Sequence, residues 1–78
     1  MADIKVDLLL DTKGMICPLP VIKTKKVLDA MQSGQVLEVT ATDQRSKSDI
    51  PAFLKRLGHE LLQANKERGT VKFYIRKK

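Results

Sequence analysis

Apolar and polar residues alternate at the start of the chain, over residues 4–10. A period of two residues places every second side chain on the same face of an extended backbone. The pattern therefore predicts a first strand over residues 4–10, followed by a turn at residues 11–14. The residues predicted to face the interior are Ile4, Val6, Leu8 and Leu10.

Residues 18–31 have helical periodicity instead. At about 100° per residue, five apolar side chains of this segment and one threonine fall in a single sector. Lys23, Lys26 and Asp29 lie outside that sector, and Ile22 is an aliphatic residue on the polar side, where a partner has access to it. The predicted inward face comprises Pro20, Val21, Thr24, Val27, Leu28 and Met31.

The second half of the chain predicts a strand, a helix and a hairpin. Residues 36–42 are rich in branched side chains, as strands are. Next comes a helix capped by Ser48 or Asp49, with Pro51 in its first turn and Gly58 at its end. Strands over residues 59–64 and 71–76 flank a hairpin loop at residues 65–69, in which Gly69 supplies a left-handed backbone conformation. The inward residues of the helix are Ile50, Phe53, Leu54 and Leu57.

The order βαβαββ predicts a two-layer α/β sandwich, with two helices packed on one face of a four-stranded mixed sheet. At 78 residues, the chain has room for one core, so we expect residues 1–78 to form a single domain.

Composition narrows the function classes. With 42% apolar and 31% charged residues the chain is typical of a folded protein. It contains no run of about 18 apolar residues, and its first residues lack the regions of a secretion signal, so we expect a cytoplasmic protein without membrane insertion. The net charge of +6 favours acidic partners, including nucleic acid, whereas an aromatic content of 4% argues against stacking on bases.

Cys17 is the single cysteine of the chain, and it stands before two prolines in the stretch GMICPLP. An internal disulfide is therefore impossible, which fits a reducing compartment. As the N-cap, Cys17 would place Pro18 and Pro20 at the first and third helical positions, leaving only the Leu19 amide to donate to its sulfur. The helix N-terminus would then favour the thiolate and lower the pKa of the Cys17 thiol.

A lone thiolate favours a carrier role, because it can accept a group, hold it covalently and pass it on. A dithiol redox cycle would need a second cysteine. Three alternatives stay open: a buried structural Cys17, a redox sensor that forms sulfenic acid, and a basic RNA-binding module independent of Cys17. We expect no cofactor and no metal, and assign His59 a structural or solvent-facing role.

The stretches GMICPLP, ATDQRSKSDIPAFLKRLGHELL and FYIRK resemble the TusA-like (SirA-like) sulfur-carrier family over nearly the whole chain. The resemblance implies a βαβαββ fold and a sulfurtransferase that acts as a persulfide relay. It also implies a persulfide on Cys17, taken from a cysteine desulfurase or rhodanese-like donor and passed to an acceptor protein cysteine. A carrier handed between partners is expected to be monomeric; whether it serves tRNA thiolation or another pathway stays open.

The residues that match the family motif are Cys17, Pro18 and Pro20, after a turn that contains Gly14. Two positions depart from common family patterns. Leu19 stands where many carriers for tRNA thiolation have an acidic residue, and Leu54 where some members have a second cysteine. The resemblance further implies partner contacts by Lys25, Lys26 and Asp43.

Overall fold

The computed structural model describes residues 5–16 and 18–78, so that Ile4 and Cys17 lie outside the described residues. Its elements follow the order βαβαββ around one four-stranded mixed sheet. This arrangement confirms the predicted two-layer α/β sandwich. The elements are β1 (Leu8–Thr12), α1 (Leu19–Ala30), β2 (Val36–Ala41), α2 (Ser46–Leu57), β3 (Glu60–Glu67) and β4 (Thr70–Arg76).

The sheet has the strand order β1-β2-β4-β3. β1 and β2 pair in parallel, whereas β4 is antiparallel to both of its neighbours, so β1, β2 and β3 run in the same direction. α1 connects β1 to β2, and α2 connects β2 to β3. Because each helix returns the chain between strands of the same direction, both helices begin at the edge of the sheet where β1 and β2 end.

The core lies between the helices and one face of the two central strands. Three cross-strand pairs of β2 and β4 form the buried surface of the sheet: Leu37 with Ile75, Val39 with Phe73, and Ala41 with Val71. The predicted inward face of α1 is confirmed, because Pro20, Thr24, Leu28 and Met31 are buried and Val21 and Val27 are half-buried. From α2, Ile50 and Leu54 complete the core.

Three buried polar side chains have hydrogen-bond partners inside the fold. The Thr12 hydroxyl donates to the Thr40 carbonyl at 2.6 Å, and the Thr24 hydroxyl donates to the Pro20 carbonyl at 2.7 Å. The third is the Ser46 hydroxyl. An unsatisfied buried group costs about 1–3 kcal/mol, so these bonds keep polar residues compatible with a small core.

The first strand lies further along the chain than the period of two predicted. Asp7 precedes it and holds the start of β2, donating its N–H to the Val36 carbonyl at 2.9 Å and accepting the Val36 N–H at 2.8 Å. β1 then continues through Asp11 to Thr12, residues that were predicted to form a turn. The prediction failed because Thr12 is polar, yet it occupies a fully buried position on the covered face.

The second helix begins earlier than predicted. Its N-cap is Arg45, not Ser48 or Asp49, and Pro51 lies inside the helix. The first turn is tight, since the Ser48 N–H donates to the Arg45 carbonyl three residues back at 3.2 Å. Leu57, predicted to face inward, is the last residue of the helix and is 37% exposed.

The hairpin is tighter than the predicted loop at residues 65–69. Only Arg68 and Gly69 separate β3 from β4. Both have positive φ, 24° and 77°, which is the requirement of a two-residue type I′ turn that matches the twist of the strands. The predicted left-handed conformation of Gly69 is confirmed, and β3 extends to Glu67.

Candidate functional site

The loop that leads to Cys17, residues 13–16 and called the cysteine loop below, lies at the edge of the sheet where both helices begin. The Gly14 N–H donates to the Thr42 hydroxyl oxygen at 3.0 Å, which joins the loop after β1 to the segment after β2. The Met15 N–H donates to the Thr12 carbonyl at 3.1 Å. Gly14 has a φ of +82°, a left-handed conformation that glycine adopts without a steric penalty.

The start of α1 corrects the predicted cap. The N-cap is Pro18 rather than Cys17, so Pro20 stands at the second helical position instead of the third. The Leu19 N–H, predicted to donate to the Cys17 sulfur, donates to the Ile16 carbonyl at 3.0 Å. This hydrogen bond brings the backbone of Leu19 close to that of Ile16. Cys17 itself, the predicted reactive residue, lies outside the described residues.

Exposed aliphatic side chains flank Cys17 in the sequence. Ile16 is 70% exposed, Leu19 46% and Ile22 43%, so the prediction that Ile22 is accessible is confirmed. Exposed aliphatic side chains this near the cysteine in sequence are available for contact with a partner protein. Sequence reasoning overlooked Ile16, although its position beside the cysteine in GMICPLP was a signal for it.

The lysines of α1 lie on the side of this helix that is exposed to solvent. Lys25 pairs with Asp29 at 2.7 Å, one helical turn further on, and both side chains are exposed. This hydrogen bond lowers the pKa of the Asp29 carboxyl. Lys26 and Lys23 are also exposed. A contact between Lys25 and a partner would therefore compete only with a local ion pair that is exposed to solvent and screened by it.

Asp43 is joined to the cysteine loop through its neighbour in the chain, Thr42, which accepts the Gly14 N–H. Its carboxylate accepts the hydroxyl of Ser46, the first residue of α2, at 3.3 Å. The carboxylate is half-buried. The structure thus brings Asp43 and Gly14 to one edge and gives Asp43 a role in starting α2.

The two predicted departures from the family pattern have different environments. Leu19 is exposed at the first position of α1, where its side chain meets solvent. Leu54 is 1% exposed and belongs to the core. A substitution at Leu19 would thus change the surface beside Cys17, whereas one at Leu54 would change packing.

A shallow groove of about 280 Å³ runs between α1 and α2. Pro18, which follows Cys17 in the chain, lines this groove together with Val21. Phe53 was predicted to be a core residue, but it is half-buried and contributes to both the groove and the packing of the core. The α2 wall consists of residues at helical spacings 0, 3, 4 and 7, a stripe visible in the sequence but overlooked there: Asp49, Ala52, Phe53 and Arg56.

The face of the sheet away from the helices has a larger depression of about 630 Å³. Its charged lining residues balance in sign, with Lys13, Arg68 and Lys72 against Asp11, Glu38 and Glu67. This balance is unlike the uniformly basic surface that phosphate backbones select. Tyr74, which pairs with Glu38 in the sheet, hydrogen bonds to that carboxylate, and this raises the pKa of its phenol.

His59 lies between the end of α2 and β3, away from the cysteine loop. Its Nδ1 accepts the Lys78 N–H at 3.1 Å. Partial burial lowers its pKa, and the nearby Lys77 acts in the same direction. Within residues 5–16 and 18–78, no three His, Asp or Glu side chains converge as a metal site would require, and neither helix has the length and apolarity to cross a membrane.

Comparisons with known proteins agree with this fold. Residues 9–77 match the family model described as sulfurtransferase TusA. The sulfur carrier protein TusA of Allochromatium vinosum is 49% identical over 77 residues, 99% of each chain, and that of Pseudomonas putida is 44% identical over 78 residues, 100% of this chain and 98% of that one.

A crystal structure of a SirA-like protein from Desulfitobacterium hafniense superposes with a TM-score of 0.80 at 25% identity, covering 90% of this chain and 96% of that one. The family model, the curated relatives and the structural neighbour lead to the same conclusion: the chain belongs to the TusA family of sulfur carriers.

Proposed function

We propose that this sulfur carrier holds a sulfane sulfur as a persulfide on Cys17, in the cytoplasm and as a monomer. A cysteine desulfurase or a rhodanese-like protein donates the sulfur, and an acceptor protein cysteine receives it. The observation that carries the proposal is the match of nearly the whole chain to sulfur carriers, together with the only cysteine of the chain in the CPLP motif.

The proposed transfer consists of two substitutions at sulfur. The Cys17 thiolate attacks the terminal sulfur of the donor persulfide, and the donor cysteine leaves as a thiolate. In the second step an acceptor thiolate attacks the terminal sulfur of the Cys17 persulfide and releases the Cys17 thiolate. One sulfur–sulfur bond breaks and one forms in each step, so the relay needs no external oxidant or reductant.

The surroundings of the cysteine loop support transfer between proteins. Ile16, Leu19 and Ile22 offer an apolar contact surface on both sides of Cys17 in the sequence. Lys25, Lys26 and Asp43 are proposed to contact the partners as well. The groove beside Pro18 is shallow and open, so the partner protein must exclude water during the transfer.

The proposal is tested by intact-mass measurement after incubation with a cysteine desulfurase and cysteine, or with a rhodanese and thiosulfate. We expect a gain of one sulfur atom, lost on reduction with a thiol and absent from the Cys17→Ser variant. The absence of an adduct with either donor would overturn the proposal. A redox sensor would instead form sulfenic acid with peroxide much faster than free cysteine does.

A further inference from the structure

We propose that the groove between α1 and α2 binds the segment of the protein partner that flanks its sulfur-exchanging cysteine. The groove seats one apolar side chain of that segment, and Arg56 pairs with one of its carboxylates. The inference rests on the proposed function, since it describes how a partner cysteine is brought to Cys17. It adds to that function a sequence preference in the partner.

The floor of the groove is apolar. Val21 from α1 and Ala52 and Phe53 from α2 line it, and Pro18 lies at the end next to Cys17 in the chain. Ala52 is exposed although it faces this concave surface, because no larger side chain fills the space above it. The volume of about 280 Å³ is sufficient for one leucine-sized side chain and is too small for a folded element.

Asp49 and Arg56, which both line the groove, lie at opposite ends of it, and the Arg56 end favours an acidic residue of the partner. Arg56 is exposed at one end, and among the described residues it forms no ion pair. Lys55 lies beside it in the last turn of α2, and the chain as a whole has a net charge of +6. An arginine fork binds a carboxylate in two-point geometry, so a Glu or Asp of the partner is the expected counterpart.

The length of the groove sets the spacing between that carboxylate and the partner cysteine. Asp49 and Arg56 are seven residues apart on α2, which at about 1.5 Å per residue separates them by about 10 Å along the helix. Both helices begin at the same edge, so Pro18 lies toward the Asp49 end. An extended segment of the partner advances about 3.3 Å per residue, so the acidic residue of the partner should lie about three positions from the partner cysteine.

The inference can be tested with synthetic peptides that report attack by Cys17. The first peptide has a central cysteine, a leucine on each side of it, then alanines, and a glutamate at each end, so that either chain direction presents the same spacing. Two matched peptides replace the leucines by serine or the glutamates by lysine. The cysteine of each peptide is activated as a 2-thiopyridyl disulfide. The Cys17 thiolate attacks the peptide sulfur, so that a mixed disulfide forms and pyridine-2-thione leaves. The absorbance of the released pyridine-2-thione measures the rate.

Rates are divided by the rate with neutral hydroxyethyl 2-thiopyridyl disulfide, which reports the intrinsic reactivity of Cys17. We expect the leucine and glutamate peptide to react about tenfold faster than the serine peptide, as half-burial of a leucine predicts. Ala52→Phe, which fills the groove at an exposed position, should remove this preference. Arg56→Glu should lower the relative rate of the acidic peptide by about fivefold, the upper range for one surface ion pair.

Lys66→Glu is the matched control, because it makes the same change in net charge on exposed β3 and away from the groove. Its relative rates should equal those of the unmodified protein. Equal rates for the leucine and serine peptides, or equal effects of Arg56→Glu and Lys66→Glu, would overturn the inference. These outcomes are independent of persulfide formation, so a failure here leaves the proposed function standing, and a failure to load sulfur leaves the peptide preference measurable.

Discussion

The left-handed conformation of Gly14 gives a direct test of the role of the cysteine loop. Gly14 and Gly34 have φ values of +82° and +90°, and a Cβ added at either position has no heavy atom within 4 Å beyond the glycine itself and its two chain neighbours. Each N–H also holds a loop in place: that of Gly14 donates to the Thr42 hydroxyl and that of Gly34 to the Lys77 carbonyl. Gly34 precedes β2, so it lies at the opposite edge of the sheet.

The expected energy follows from the backbone alone, because an added methyl group meets no neighbour at either site. An L-residue in the left-handed region costs about 1–2 kcal/mol, and alanine recovers about 0.4–1 kcal/mol by restricting the unfolded chain. Both Gly14→Ala and Gly34→Ala should therefore destabilise the fold by about 1 kcal/mol. In a domain of this size that corresponds to a melting temperature lower by about 4–8 °C.

The functional effects should differ although the stability effects are equal. Alanine at residue 14 can relieve the strain by leaving the left-handed region and giving up the bond to Thr42, which is itself worth about 1 kcal/mol. The loop then populates a second arrangement, and sulfur loading should slow by about two- to fivefold, in proportion to the competent fraction. Gly34→Ala should load at the unmodified rate, and Gly14→Asn should recover part of the loss because asparagine tolerates this conformation.

The assay is the initial rate of sulfur loading from a cysteine desulfurase, followed by intact mass well below the melting temperature of each variant. Equal loading rates for Gly14→Ala and Gly34→Ala, at equal loss of stability, would refute the claim that the Gly14 loop sets the reactivity of the site.

Three further predictions concern the core, the loop and the C-terminal segment. Phe73→Ala should cost about 3–5 kcal/mol of the about 4–12 kcal/mol of stability expected for a domain of this size, and should lower the midpoint of its urea titration accordingly. Thr42→Val removes the acceptor of the Gly14 N–H and should slow loading while lowering unfolding free energy by about 1 kcal/mol; an unchanged loading rate would contradict this. Partial burial lowers the pKa of His59 below 6.5 in the folded protein, so protonation of its imidazole favours the unfolded chain, and the free energy of unfolding falls as the pH falls below that value. The melting temperature of His59→Asn should therefore depend less on pH in this range than that of the unmodified protein. Equal pH dependence of the two proteins would count against the argument.

Apolar periodicity was sufficient to predict the layers of this fold. The positions of Leu28, Ile50 and Leu54 in the core follow from helical spacing, and the order βαβαββ follows from the alternation of periods. The errors occurred where a polar residue is buried or a contact is nonlocal. Thr12 belongs to a strand because its hydroxyl reaches Thr40, a residue 28 positions away, and no local pattern reveals that bond.

The helix starts were predicted less well, for a related reason. Residue preferences favoured Cys17 and Ser48 or Asp49 as caps, whereas the structure begins the helices after Pro18 and Arg45. Neither N-cap side chain makes a capping hydrogen bond, and backbone N–H groups donate instead to the Ile16 and Arg45 carbonyls. The groove needed the tertiary arrangement, because its two walls are on helices that are distant in sequence.

The claim that Cys17 itself carries the sulfur is tested most directly by mapping the added atom to a peptide. The protein is loaded with a desulfurase and isotopically labelled cysteine, separated from the donor, alkylated and digested with trypsin, which releases residues 14–23 as the peptide containing Cys17. The account predicts the labelled sulfur on this peptide alone, and its loss when the loaded protein is incubated with an acceptor thiol before alkylation. Labelled sulfur on any other peptide, or on the Cys17→Ser variant, would contradict it.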